Sequence, residues 1–139
     1  MDLKEKELLL KDLSARLLYG LKLRYVEDLV VKKESHVITL NNIYLEHILN
    51  GDADIKPYLR PMSSMTEEEK EELKKLFDAK EVTNDSLGFN EGGTLEDYVS
   101  QISYTFCGGV IDWLLAHHFD FRGLIEKNLA LEAPEGIYN

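Results

Sequence analysis

Between Ile111 and Ile125 the chain collects its only tryptophan, Trp113, two of its four histidines, His117 and His118, and the charged pair Asp120 and Arg122. Imidazoles with a carboxylate close by are the raw material of a metal site or an acid–base pair. Adjacent helical residues point about 100° apart, so His117 and His118 do not readily share one ion. No HExxH-type spacing accompanies them. The competing role is structural and carries more weight. Two histidines at the C-terminal end of a helix suit its dipole, and Asp120 can cap the next helix.

Cys107 beside Gly108-Gly109 is a second catalytic candidate. Its nearest downstream base, His117, lies almost three helical turns further on. A lone cysteine is more often a small buried hydrophobe. Gly88–Gly93 is rich in glycine but lacks the Lys-Ser/Thr of a phosphate loop, and reads as a loop. Lys56, Tyr58 and Arg60 alternate along an extended stretch, as Lys22 and Arg24 do on another. On neighbouring strands they would make a basic, aromatic patch suited to single-stranded nucleic acid. Glu27, Asp28, Glu46, Asp52 and Asp54 offset that charge locally. Trp113, with Phe119 and Phe121, can anchor a partner, although aromatic residues at helical spacing are usually core.

Composition narrows the class. The 139 residues are 44% hydrophobic and 30% charged, enough for one domain with a real core. The net charge of −10 arises wholly after residue 60, where six Lys/Arg face sixteen Asp/Glu. That half repels phosphate backbones. The charged start lacks the pattern of a signal peptide, no apolar run is long enough to span a bilayer, and one cysteine fits a reducing compartment. The expected location is cytoplasmic.

The elements that would position these residues follow from periodicity. Leucines from Leu3 to Leu18 at spacings near three and four predict an amphipathic helix ended by Tyr19-Gly20. Leu21–Val26, Leu29–Val31 and His36–Leu40 read as strands, with Lys33-Glu34-Ser35 as turn material. Ile43–Leu49 fits a fourth strand slightly better than a short helix, because Asn41-Asn42 resembles hairpin punctuation. Ile55–Pro61 is extended. Thr66 and Glu69 form a capping box that opens a helix to about residue 80. A helix over about 95–118 and a short one over about 121–127, with Asn128 closing it, complete the second half.

The runs Ile55–Thr66 and Ile111–Ile125 resemble an uncharacterised family of small proteins associated with gut bacteria of the Bacteroides type and their phages or prophages. The likeness covers most of the chain. It implies no activity and no functional residues, only the context of an accessory protein.

The sequence therefore predicts a single α+β domain over residues 1–139. An N-terminal helix precedes a small antiparallel meander or partly closed barrel in a β-rich half (about 20–61), and three helices occupy the second half (about 62–133). The leading functional expectation is a non-enzymatic interaction protein, binding a protein partner or a second copy, with no cofactor, no metal and no membrane. A metal-dependent or hydrolase-like enzyme using His117, His118 and Asp120 is the alternative. A weak single-stranded nucleic-acid binder using Lys56, Tyr58 and Arg60 ranks third.

Overall fold

Leu9 and Leu13 sit one helical turn apart and both are buried, so α1 (Leu3–Ala15) is the amphipathic helix that the leucine spacing predicts, although it closes at Arg16 and not at the expected Tyr19-Gly20. The Asp2 carboxylate caps it by accepting from the Glu5 amide at 2.8 Å. The computed structural model describes residues 2–52, 54–79 and 108–138. The expected loop over 82–93, the first part of the expected helix over 95–107 and Cys107 lie outside the described residues.

After α1 the chain forms a hairpin of β1 (Lys22–Asp28) and β2 (Lys33–Thr39), in register from Lys22 opposite Thr39 to Asp28 opposite Lys33. Here the expectation is corrected. Leu29–Val31 is no strand but part of the turn, closed by the Leu29 amide donating to the Lys32 carbonyl at 2.9 Å. Lys33-Glu34-Ser35, expected as turn material, is the first half of β2. Local propensity favours β-branched residues in strands. The register is set instead by burying Leu23 and half-burying Ile38 on one face.

Residues 43–49 are also corrected, because they lie in a helix, α2 (Asn42–Leu49). The Asn41 side chain accepts from the Tyr44 amide at 2.9 Å, so the asparagine that suggested a hairpin is an N-cap. At the other end the Gly51 amide donates to the Ile48 carbonyl and the Asp52 amide to the His47 carbonyl. This is a Schellman cap, and Gly51 takes the left-handed φ of 87° that it requires. Leu45 and Ile48, three residues apart, face the core.

β3 (Ile55–Leu59) alternates in burial, with Ile55, Pro57 and Leu59 inward, and runs antiparallel to β1. The short β4 (Leu131–Glu132) pairs with β3 in parallel. The sheet order is β2-β1-β3-β4. It is an open mixed sheet with β2 at one edge. Among the described residues neither a closed barrel nor a simple antiparallel meander forms, because β4 comes from the far end of the chain and joins in the parallel sense.

A 3-10 turn (Met62–Ser64) leads into α3 (Glu67–Ala79). The capping box forms as predicted. The Thr66 amide donates to Glu69 Oε1 at 3.0 Å and the Glu69 amide to Thr66 Oγ1 at 3.2 Å. α4 (Gly108–Ala116) packs on α3. The expected helix over 121–127 is replaced by consecutive hydrogen-bonded turns. Gly123 at φ 75° interrupts helical geometry there. The segment still closes as expected at Asn128, whose φ of 62° serves a second Schellman cap on the Ile125 and Leu124 carbonyls.

Two hydrophobic clusters result. One joins α1, the sheet and α2 through Leu9, Leu13, Leu23, Leu45 and Leu59. The other joins α3 and α4 through Met65, Leu73, Val110, Leu114 and Phe119.

Candidate functional site

Phe119 lies where the two clusters meet, and its ring and carbonyl are both held. The ring is fully buried and stacks on Trp113 at 5.8 Å between centroids, with the Arg60 guanidinium over it at 4.1 Å. Its carbonyl accepts from Arg16 Nη2 at 2.7 Å. Arg16 has no exposed side-chain surface and pairs with the equally buried Asp12 through Nε–Oδ2 at 2.8 Å. The second Asp12 oxygen accepts from Arg122 Nη1 at 2.6 Å. Positions 9, 12, 13 and 16 share one face of α1, so this charged pair lies along the same stripe as its core leucines.

Arg60, just past β3, bridges the clusters through side chain and backbone alike. Its guanidinium grips Glu69 in a two-pronged pair at 2.6 and 2.8 Å. The hydrogen bonds from Arg60, opposed in part by burial, hold the Glu69 carboxyl down at about 2. The Arg60 amide donates to the His118 carbonyl, and its own carbonyl accepts from the Asp120 amide, both at 2.8 Å.

This lattice engages most of the residues that looked chemical. His118 is the C′ residue of a third Schellman cap, at φ 65°, with its amide on the Leu115 carbonyl and that of Phe119 on the Leu114 carbonyl. A non-glycine residue in that conformation costs about 1–2 kcal/mol. Its ring stacks on Tyr138 at 3.8 Å. Burial, first, and the nearby cations lower its pKa to about 4. The imidazole residue thus terminates α4 by backbone geometry, at the helix C-terminus where it was expected. Asp120 accepts from the Leu124 and Ile125 amides at 2.8 and 2.9 Å, one on each oxygen, so it caps as predicted but opens turns.

His117 differs. Its Nδ1 donates to the Trp113 carbonyl at 2.8 Å and its ring stacks on the Trp113 indole at 4.1 Å. A carbonyl can only accept, so in the neutral ring Nε2 carries the lone pair. His117 lines a cleft of about 490 Å³ with Arg60, Glu68, Glu69, Glu132 and Tyr138. Of His117, His118 and Asp120, only His117 reaches that cleft. Its carboxylates favour a cation over a phosphate.

Of the residues considered for nucleic acid, Arg24 and Lys56 stand directly opposite on β1 and β3, as expected of neighbouring strands. On β3 the Lys56 ammonium and the Tyr58 backbone carbonyl are engaged by the chain itself. Lys56 donates to the Asn128 carbonyl at 3.2 Å, and the Tyr58 carbonyl accepts from the Tyr138 hydroxyl at 2.6 Å. That hydroxyl also accepts from the Lys22 amide, and burial pushes its pKa up to about 12. Trp113 belongs to the α3–α4 cluster, and its indole Nε1 is buried without a partner among the described residues.

Two features escaped the sequence reading. The first is the Asp12–Arg16 pair, which the spacing of Leu9 and Leu13 would have placed inward. The second is the far end of the β1–β2 hairpin. Val30 and Val31 are completely or almost completely exposed there, at 106% and 89%, and Val37 on the edge strand is 56% exposed. Two-residue hairpin turns ordinarily take Asn or Gly. Beside them Glu27, Glu34 and His36 cluster on one face of the hairpin.

Among the described residues no helix is long and apolar enough to cross a membrane. The chain matches no known family model, no curated protein and no solved structure.

Proposed function

We propose that the protein is a non-enzymatic interaction module that takes a protein partner at the open β2 edge and the Val30-Val31 tip. The observation that carries this reading is the pair of valines with essentially full exposure, at the end of a strand that is hydrogen-bonded on one side only among the described residues. An edge strand offers unpaired amides and carbonyls to an incoming extended segment, and apolar side chains at its end add contact area. His117, His118 and Asp120, first considered for catalysis, support the same reading from the other side. His118 and Asp120 hold the fold, and His117 stands in the cleft without them. The resemblance of residues 55–66 and 111–125 to small Bacteroides-type proteins gives the context of an accessory protein in a bacterial or phage system.

Photo-crosslinking in cells that produce the protein tests this. A reactive residue at position 31 should give a discrete crosslinked species, whereas one at Leu18, equally exposed on the surface, should not. A species of twice the monomer mass would identify the partner as a second copy. No crosslink at position 31, or equal yields at both positions, would overturn the reading.

A further inference from the structure

We infer that Glu27, Glu34 and His36 form a binding site for a divalent first-row metal ion, with zinc the best fit. Glu27 on β1 and Glu34 on β2 are direct cross-strand partners, and His36 lies two residues further along β2 on the same face. One donor atom from each residue falls within 4.8 Å of the other two. His36 Nε2 stands 3.0 Å from Glu27 Oε2 and 3.8 Å from Glu34 Oε2. Ligands about 2.0–2.2 Å from a tetrahedral ion are separated by about 3.4 Å, which lies between those two distances. The third separation, between the two carboxylates, is within 4.8 Å.

The chemistry of the donor set agrees with the geometry. Like charges directly opposite on paired strands repel. Lys32 offsets this only on the outer side, binding Glu34 Oε1 at 2.8 Å and leaving Oε2 turned toward the imidazole. One imidazole with two carboxylates suits zinc and its neighbours, whereas magnesium and calcium prefer oxygen alone. Tyr25, stacked against His36 at 6.4 Å, holds the ring on this face. The three ligands leave a fourth position for water. The ion would take the place of the hydrogen bond between His36 and Glu27, and it would clip residues 27 and 36 together across the Val30-Val31 turn. The site does not depend on the interaction reading, although it would stiffen the same hairpin.

Titration of zinc chloride into the metal-free protein near neutral pH, followed by calorimetry, tests the inference. The expected result is one saturable site per chain. His36→Ala and Glu27→Gln should each weaken it by more than about tenfold, as loss of a metal-site partner does. His47→Ala, an exposed histidine on α2, should leave it unchanged. Circular dichroism confirms that each variant folds, which half-exposed side chains permit. Long-range proton–nitrogen spectra should show the His36 ring, and no other imidazole, shifting with zinc. Absence of saturable binding, or an affinity indifferent to His36→Ala, would overturn the inference. Neither result bears on crosslinking at position 31, so the two proposals fail separately.

Discussion

The seam around Phe119 and the end of the β1–β2 hairpin use similar residue types to opposite ends. In the seam, Asp12, Arg16, Arg60, Glu69, Asp120 and Arg122 each make charge-assisted hydrogen bonds, most of them buried or half-buried, with Arg16 Nη1 left without a partner among the described residues. At the hairpin, Glu27, Glu34 and His36 sit in a loose exposed cluster beside valines that none of the described residues covers. A crowded constellation of His, Asp, Arg and Trp is the more conspicuous in sequence. In three dimensions it is the mortar between two hydrophobic clusters. The sparser region keeps its charged side chains and its valines open to a ligand or partner.

The comparison breaks most sharply through stability. Asp12→Ala strips both Arg16 and Arg122 of their counter-charge at a site closed to water, and should cost about 3–5 kcal/mol by chemical denaturation. Glu27→Gln and Glu34→Gln at the hairpin should each stay within about 0.5 kcal/mol of the parent. Comparable losses in the two regions would remove the distinction. Asp120→Ala leaves two amides without their acceptor and should cost about 1–2 kcal/mol, intermediate between the extremes.

Acid sharpens the same contrast. The folded state keeps His118 neutral down to about 4, whereas the unfolded chain protonates near 6.5. The unfolded state therefore binds more protons in that window, and stability present above 6.5 is lost as pH falls toward 4. Glu69, lowered from 4.5 to about 2, adds a second loss in that lower range. Denaturation midpoints measured against pH should show both phases, with His118→Gln abolishing the upper and Glu69→Gln the lower. The smallest effect belongs to the tip. Replacing Val30 and Val31 together by serine should leave the denaturation midpoint nearly unchanged, since fully exposed side chains bury nothing.

What could be read in advance depended on how local the cause was. The Thr66/Glu69 capping box, the leucine face of α1 and the turn at Asn128 each rest on residues within one or two helical turns, and each formed. Residues 43–49 became a helix because Asn41 is ambiguous locally, serving equally as a turn residue or an N-cap. The strand expected over Leu29–Val31 failed for a different reason. The β-branched pair Val30-Val31 has strand propensity, yet register against Leu23 and Ile38 places it at the turn. The pairing of β4 with β3, and the reach of Arg60 to Glu69 and Phe119, are long-range and leave no local pattern. The candidate site was legible in its residues and in the capping role of Asp120, but not in the stacking and backbone pairing that hold His117 and His118. Histidine and aspartate types point to chemistry, but burial, backbone caps and stacking decided what they do.

Native-state hydrogen exchange tests the central contrast most directly. The amides of Arg60, Phe119 and Asp120 should exchange only through global unfolding, with free energies equal to that of the whole domain, while those bracketing Val30 and Val31 should open locally and fast. Equal protection of both regions, or local opening of the seam, would contradict the account.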